Sequence, residues 1–228
     1  MSVKVYAHER FGAVYWVEIN GQKRLATLNL ARGTRVYGEQ LVESGGVEYR
    51  IWDPYRSKLA AAILNGLKVL PIAEESNILY LGAASGTTSS HVSDIVGQKG
   101  RVYCVEISAR PLRDLLQVCA NRSNMIPIMG DARDPSGYSA IVEKVNVVYQ
   151  DIAQPDQTDI MLINMRTFLK EGGYGMLVLK ARSIDVTRKP EELFREETEK
   201  LEGENKVIDI VYLEPYEKDH AMILIKRL

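Results

Sequence analysis

The chain has 228 residues, 46% of them hydrophobic and 26% charged, which is enough for one substantial core with a small second unit and excludes a disordered or fibrous protein. Its 29 lysines and arginines are balanced by 30 aspartates and glutamates, a formal net charge of −1, so no overall positive field is available to hold nucleic acid or a membrane surface. Cys104 and Cys119 lack the spacing of a metal site or a disulfide framework. Because no long apolar run occurs, we expect neither a signal peptide nor a membrane span, and we predict a cytoplasmic protein.

The first part of the chain has the pattern of β-hairpins. Short β-rich runs at residues 14–19, 24–30 and 47–52 are separated by the turn dipeptides Asn20-Gly21 and Gly45-Gly46. We therefore predict a small β-hairpin domain over residues 1–56 and a second domain over residues 57–228.

From residue 57 onward, helical and strand patterns alternate. Helices are predicted at residues 57–66, 88–96, 110–122, 138–144, 158–169 and 190–201, and strands at residues 77–81, 100–105, 125–129, 146–149, 174–180, 206–213 and 221–226. Only seven residues join the last two strands, too few for a crossover helix, so these strands should form an antiparallel hairpin. The predicted fold is an α/β, Rossmann-like sheet of the class I methyltransferase type with a C-terminal antiparallel hairpin, preceded by the β-rich N-terminal domain.

The loop after the first strand of this alternation is rich in small residues. Gly82 and Gly86 lie within the segment YLGAASGTT at residues 80–88, where a ligand could approach the backbone and the following helix N-terminus. The segment has neither the lysine of a Walker A loop nor the GxGxxG spacing of a dinucleotide site. Glu106 and Asp131 end the next two strands, where acids contact a bound adenosine. A turn needed only for packing, and solvated carboxylates, remain the alternatives.

Several segments together resemble the fibrillarin family. LYLGAASGTTSSHVSDIV at residues 79–96 is similar to that family's signature, and YRIWDPYRSKLAAA (49–62), DIAQP (151–155) and KARSID (180–185) resemble further stretches in the same order. The resemblance is to the short archaeal form. It implies guide-RNA-directed 2′-O-methylation of rRNA and tRNA with S-adenosyl-L-methionine, inside a box C/D ribonucleoprotein. The implied partners are the guide RNA, its target RNA, a Nop-family scaffold protein and a kink-turn-binding protein of the ribosomal type.

Methylation of a ribose hydroxyl requires orientation of a poor nucleophile and help with its proton. For this chemistry the resemblance implies a catalytic set of four residues: Lys58, Asp151, Lys180 and His220. The predicted topology is compatible with this set, because three of its members follow, end or open strands at one edge of the sheet. We expect Lys180 and Asp151 to orient the hydroxyl and favour its deprotonation, with the other two in support.

The resemblance also implies a set of cofactor-binding positions. They are Gly82, Ala84, Thr87, Thr88, Glu106, Ile107, Asp131, Ala132, Asp151 and Gln154. Glu106 would accept the ribose hydroxyls, Ile107 would pack on adenine, and Asp131 would accept the adenine amino group.

Two other functions remain open from the sequence. A nicotinamide-dependent oxidoreductase would share the strand-end acid but would require GxGxxG, and a non-catalytic ribonucleoprotein scaffold would keep the fold without the chemistry. We predict weak binding of free RNA, because only isolated cations lie near the expected site: Arg56, Arg110, Arg133 and Arg182. His8 and His91 are interpreted as structural.

Overall fold

The computed structural model describes residues 3–228 and contains two separate β-sheets. The first is antiparallel, in the order β1-β2-β3-β5-β4, with strands β1 (Val3–Ala7), β2 (Tyr15–Ile19), β3 (Gln22–Leu28), β4 (Leu41–Ser44) and β5 (Val47–Ile51). Both predicted turns are confirmed: Asn20 and Gly21 join β2 to β3 with φ of 50° and 82°, the left-handed pair that a tight hairpin requires. Strands β1 and β4 were not predicted, since their short, half-exposed sequences carry little apolar signal.

In the described residues the second sheet has seven strands, in the order β11-β12-β10-β9-β6-β7-β8. Its strands are β6 (Asn77–Leu81), β7 (Arg101–Glu106), β8 (Met125–Met129), β9 (Val145–Gln150), β10 (Leu169–Lys180), β11 (Asn205–Tyr212) and β12 (His220–Arg227). Strands β6 to β10 are parallel and β12 is antiparallel to both of its neighbours. The predicted fold class is therefore confirmed, including the C-terminal hairpin.

Six α-helices accompany these strands within residues 3–228. They are α1 (Lys58–Leu64), α2 (Thr87–Val96), α3 (Ala109–Ala120), α4 (Gln157–Phe168), α5 (Ala181–Ile184) and α6 (Pro190–Leu201). Within residues 3–228, none of the helices is both long enough and apolar enough to cross a membrane.

One predicted helix, at residues 138–144, is wrong. The chain instead forms a single 3₁₀ turn, Pro135–Tyr138, which Asp134 caps by accepting the N–H of Ser136. The Tyr138 ring is buried against Phe168, and its hydroxyl bonds to Asn164. This anchor ends the turn at Tyr138, and an irregular segment leads from there into β9.

The seven-stranded sheet is buried on both faces. Along β6, Ile78 and Tyr80 belong to one hydrophobic cluster, and Leu79 and Leu81 belong to the other. Such strands read as continuous apolar runs, which is typical of a parallel sheet covered on both sides. Polar side chains that serve chemistry are therefore confined to the strand ends and the loops that follow them.

The N-terminal sheet shares its core with the rest of the chain. Leu25 and Trp52 pack in the same cluster as Leu59 of α1 and Ile95 of α2, although four residues of the sheet also form a small cluster of their own: Val17, Ala26, Val42 and Ile51. The division into domains at residue 56 stays a prediction.

A buried charge network joins the N-terminal sheet to α2 and to the segment after α3. The guanidinium of Arg50 is fully buried and lies 2.7 Å from Glu39 and 2.8 Å from Asp94 of α2. Asp94 also pairs with Arg122, which follows α3. Because buried charges are stable only when they are paired, this network fixes how the N-terminal sheet is seated on α2 and α3.

Candidate functional site

The loop after β6 passes unusually close to the loop after β9. Gly82 has φ of +79°, and a Cβ at this position would lie 2.7 Å from the carbonyl oxygen of Asp151 and 2.9 Å from Cγ2 of Ile152. Only glycine fits there, both because of the positive φ and because of the contact. Gly86, with φ of +94°, precedes the first residue of α2. The two glycines thus set the shape of the loop and bring it against Asp151.

A cleft of about 270 Å³ lies where β6, β7, β8 and β9 end; we call it the strand-end cleft. Nine residues that the resemblance implied line it: Gly82, Ala84, Glu106, Ile107, Asp131, Ala132, Asp151, Gln154 and Lys180. Carboxyl ends of parallel strands meet at one edge of a sheet, so residues up to about a hundred positions apart converge here.

Glu106 lines the strand-end cleft. Its carboxylate is buried, with Oε2 accepting the N–H of Ala84 at 2.9 Å and Oε1 accepting the N–H of Ser108 at 2.8 Å. Each oxygen of a carboxylate can accept a further hydrogen bond, so Glu106 can still receive two hydroxyls from a ligand. Beside it, the Ile107 side chain is 53% exposed, an apolar surface at the mouth of the cleft.

Thr87 and Thr88 lie outside the lining of the strand-end cleft as residues 3–228 form it. Thr88 is buried, and its hydroxyl donates to Oγ of Ser57 at 3.0 Å. Ser57 in turn caps α1 by accepting the N–H of Ala60. The contacts of Thr88 therefore connect α2 to the start of α1, directly before Lys58, and a direct cofactor contact for either threonine stays a prediction.

Asp151, at the end of β9, lies between two ammonium groups. Lys58 Nζ is 3.2 Å from Oδ2, and Lys180 Nζ is 2.7 Å from Oδ1 and 3.3 Å from the Asp151 carbonyl oxygen. We call these three residues the Asp151 cluster. Burial raises the pKa of the Asp151 carboxyl, but the charges and hydrogen bonds of Lys180 and Lys58 outweigh it, so the pKa lies below its ordinary value. Asp151 is therefore ionised at neutral pH.

His220 does not join the Asp151 cluster in the structure. Its Cα pairs with that of Lys180 across β12 and β10, as its place at the start of β12 predicts. Its Nδ1, however, donates to the carbonyl oxygen of Lys218 at 2.6 Å. Among the residues described, no hydrogen bond or ion pair joins the imidazole to Asp151 or Lys180. Its supporting role stays a prediction that requires a change of side-chain orientation or a bound substrate.

Two glutamines that were not predicted from the sequence position Lys180. The Gln157 side chain accepts the N–H of Lys180 at 2.9 Å and donates to its carbonyl oxygen at 3.1 Å. Gln150 donates to the carbonyl oxygen of Gln157 at 2.6 Å, and both glutamines are fully buried. A glutamine in the first turn of a helix resembles a solvated residue, so the sequence offers no signal for this clamp.

Two of the four arginines expected near the site are paired with neighbouring carboxylates. Arg133 forms two hydrogen bonds to Asp156, at 2.7 and 2.8 Å, and a third to Gln154 at 2.8 Å. Arg182 pairs with Asp219 at 2.9 Å. Arg133 therefore orients Gln154, which lines the strand-end cleft. Fewer unpaired positive charges face solvent near the site than the sequence suggested.

His91 is structural, as predicted. Its ring lies between the hydroxyls of Thr27 and Tyr37, at 2.7 and 2.8 Å, and stacks on Trp52. Burial, and then the nearby charge of Arg50, hold the pKa of His91 well below its ordinary value. The imidazole is therefore neutral and belongs to the packing between the two sheets.

Comparison with known proteins agrees with this geometry. The sequence model of the family described as Fibrillarin matches residues 5–227. A fibrillarin-like rRNA/tRNA 2′-O-methyltransferase of Methanopyrus kandleri is 52% identical over 226 residues, covering 98% of this chain and 97% of that protein.

Solved structures give the same result. Aeropyrum pernix fibrillarin, crystallised with natively bound S-adenosyl-L-methionine, has a TM-score of 0.92 and 51% identity, over 98% of this chain and 99% of that one. A fibrillarin chain from a complex with Nop5p has a TM-score of 0.82 and 46% identity, over 90% and 94% of the two chains. The present chain, with its strand-end cleft and its Asp151 cluster, is a member of the fibrillarin family.

Proposed function

We propose that the protein transfers a methyl group from S-adenosyl-L-methionine to a ribose 2′-hydroxyl in rRNA and tRNA, at positions selected by a guide RNA. The observation that carries this proposal is the Asp151 cluster, an ionised carboxylate between two ammonium groups in the cleft that Glu106 also lines. The names of relatives at about 50% identity, and the cofactor bound to the Aeropyrum pernix fibrillarin, support the same reaction.

The strand-end cleft fits the adenosine part of the cofactor. Glu106 offers two acceptor positions for the ribose hydroxyls, Ile107 offers an apolar surface for the base, and Asp131 offers an acceptor for the exocyclic amine. Gly82 and Asp151, which lie in close contact and both line this cleft, would hold the methionine part. When bound, S-adenosyl-L-methionine supplies an electrophilic methyl group on a sulfonium.

The Asp151 cluster can activate a ribose hydroxyl. The carboxylate of Asp151 can accept the hydroxyl hydrogen, which orients the oxygen lone pairs and increases their electron density. Lys180 and Lys58 can stabilise the negative charge that develops on that oxygen. The two glutamines hold the backbone of Lys180, so that this geometry exists before the substrate arrives.

The proposed assembly supplies the RNA. With a net charge of −1 and with Arg133 and Arg182 both paired, only Arg56 and Arg110 of the four arginines expected near the site lack a carboxylate partner within residues 3–228, so little positive charge is available there for phosphates. We propose that a Nop-family scaffold holds the protein, that a kink-turn-binding protein anchors the guide RNA, and that base pairing selects the nucleotide. The fibrillarin of the Nop5p complex supports the first of these partners.

Two experiments test the proposal. Calorimetric titration should show binding of S-adenosyl-L-methionine and none of NAD, which separates the proposed enzyme from an oxidoreductase. Transfer of a radiolabelled methyl group to a target RNA should be slow with the isolated protein and become specific for one nucleotide when scaffold, kink-turn binder and guide RNA are added. Equal rates with and without these parts would contradict the assembly, and no transfer in either case would contradict the activity.

A further inference from the structure

Strand β10 extends further at its carboxyl end than β9, the parallel strand beside it. The register of the two strands ends at the pair Leu177 and Gln150, whereas β10 continues to Lys180. On its other side, β10 stays paired with β12 as far as Lys180, which lies opposite His220. Lys180 therefore lies at a strand end that has a neighbouring strand on one side only.

The backbone of Lys180 is bonded on the side where β9 has ended. Its N–H donates to the side chain of Gln157 at 2.9 Å, and its carbonyl oxygen accepts from the same side chain at 3.1 Å. The N–H of the next residue, Ala181, points the other way and donates to the carbonyl oxygen of Asp219 at 3.1 Å. This alternation is the pattern of a strand with a neighbour on each side. We call the two bonds to Lys180 the Gln157 clamp.

The Gln157 clamp replaces a segment of strand. A carboxamide carries one acceptor and one donor group, as a peptide group does, so Gln157 continues the sheet past the end of β9. Its side chain is fully buried, and its own backbone carbonyl accepts Nε2 of Gln150 at 2.6 Å. Because Gln150 directly precedes Asp151 in the chain, the two glutamines connect the backbone of Lys180 to that of Asp151.

The chain that follows β9 is committed to the strand-end cleft. Residues 151–154 line that cleft, and Pro155 has no N–H to donate. The chain returns to Lys180 where α4 begins, at Gln157. The fold thus separates two requirements, because the segment after β9 stays available to a cofactor while a buried side chain holds the lysine.

The position of the Lys180 backbone matters for its ammonium group. A lysine side chain is a flexible four-carbon stem, so a fixed Cα limits where Nζ can lie. In the structure, Nζ is 2.7 Å from Oδ1 of Asp151 and 3.3 Å from the Asp151 carbonyl oxygen. A displacement of about 1 Å at a reacting centre can cost about 100-fold in rate, so a loose strand end at Lys180 would slow the reaction.

We infer that Gln157 is a positioning residue of the methyl transfer and acts through Lys180, whose backbone it holds where β9 has ended. The effect on the reaction rests on the proposed function, whereas the Gln157 clamp itself does not. The length of the side chain is part of the inference, since asparagine is one methylene shorter and cannot make both bonds. A glutamine that only stabilised the start of α4 would affect folding and leave the rate as it is.

Kinetics of Gln157→Met test this role. Methionine has nearly the shape of glutamine but carries neither the donor nor the acceptor. In the complete assembly, kcat should fall about 10- to 100-fold, while the KM for target RNA and the affinity for S-adenosyl-L-methionine stay unchanged. Gln157→Asn is a second variant, and it should show the same loss. Asn124→Leu is the matched control: it removes a buried amide that bonds to the carbonyls of Ser93 and Gly97, at the other end of the sheet, and should lower stability without changing kcat.

A double-mutant cycle shows whether Gln157 acts through Lys180. Lys180→Ala removes the ammonium group that the Gln157 clamp positions, so adding Gln157→Met to that variant should cause no further loss of rate. Losses that multiply in the double variant would overturn the inference. Normal kcat in folded Gln157→Met or Gln157→Asn would overturn it as well.

Hydrogen exchange measured by NMR tests the Gln157 clamp without any activity. In Gln157→Met the Lys180 amide should exchange about tenfold faster, as expected for the loss of one hydrogen bond. The Ala181 amide, which donates to Asp219, should keep its exchange rate. An unchanged Lys180 amide would contradict the clamp and leave the proposed function intact. Absence of methyl transfer by the unsubstituted protein would contradict the proposed function, while hydrogen exchange would still decide whether Gln157 holds Lys180.

Discussion

Replacing Glu106 by alanine tests the cofactor site most directly. In the structure, the two carboxylate oxygens already accept the backbone N–H groups of Ala84 and Ser108, and each retains a position for one ribose hydroxyl. The substitution should therefore have two separate effects. It removes both acceptors for the ligand, and it leaves two backbone donors in the loops without their partner.

The sizes of these effects follow from the kind of hydrogen bond lost. A hydrogen bond to a charged acceptor contributes about 1.5 to 3 kcal/mol, so losing one of the two should lower the affinity for S-adenosyl-L-methionine about 10- to 150-fold. Because both are lost, we expect a fall of at least this size. The free energy of unfolding should fall by about 1 to 3 kcal/mol for each of the two backbone donors that loses its acceptor.

Calorimetry measures the affinity and urea denaturation measures the stability. Glu106→Gln keeps one carbonyl acceptor without the charge and should give an intermediate loss of affinity. Glu143→Ala is the control, because Glu143 is exposed and pairs with Arg101 at the opposite end of β7, and it should bind the cofactor normally. A folded Glu106→Ala protein with unchanged affinity would refute the position of the ribose.

Three further predictions concern the Asp151 cluster and the core. Lys180→Ala should slow methyl transfer in the assembly about 100-fold, measured in single turnovers, while calorimetry still shows cofactor binding. Because the pKa of Asp151 is lowered in the folded state, its carboxylate contributes its full stabilisation at pH values above the ordinary pKa of 3.8. This contribution is lost as the pH falls below 3.8 and through the lowered pKa of the folded state. The stability difference between the unsubstituted protein and Asp151→Asn, from urea denaturation, should therefore shrink only at strongly acid pH. Arg50→Ala should lower the free energy of unfolding by about 3 to 5 kcal/mol, because Glu39 and Asp94 would remain buried with one charge partner fewer.

Each of these predictions can fail in a distinct way. Near-normal turnover by Lys180→Ala would mean that another group stabilises the developing charge. A stability difference for Asp151→Asn that shrinks already near neutral pH would show that the lysines do not hold the carboxylate ionised. A loss below about 0.5 kcal/mol for Arg50→Ala, the range of ordinary surface substitutions, would mean that water replaces the guanidinium.

Much of the fold could be predicted because its signals are local. The apolar run at residues 77–81 gives a buried strand, and Asn20-Gly21 gives a hairpin, since periodicity and turn chemistry depend on neighbouring residues only. Glu106 and Asp131 were expected in one cleft for a related reason: parallel strands end at the same edge, so the order of elements alone brings their last residues together.

The catalytic set came from the resemblance, not from a local signal. The structure brings Lys58 and Lys180 to Asp151, but it points the His220 ring toward its own loop and leaves Thr88 bonded to Ser57. Side-chain direction depends on what packs around a residue, and sequence order does not contain that information.

Only the tertiary structure revealed how Lys180 is held and how the N-terminal sheet is attached to the rest of the chain. The Gln157 clamp joins residues that are 23 positions apart, and the buried Arg50 network joins residues that are 44 positions apart. Each residue of these groups, met alone in the sequence, resembles an ordinary solvated or core side chain. Their roles depend on burial and on partners that are distant in the chain. Composition, periodicity and motifs therefore determined the architecture but not these roles. The packing of the N-terminal sheet on α1 and α2 decided the surroundings of the site.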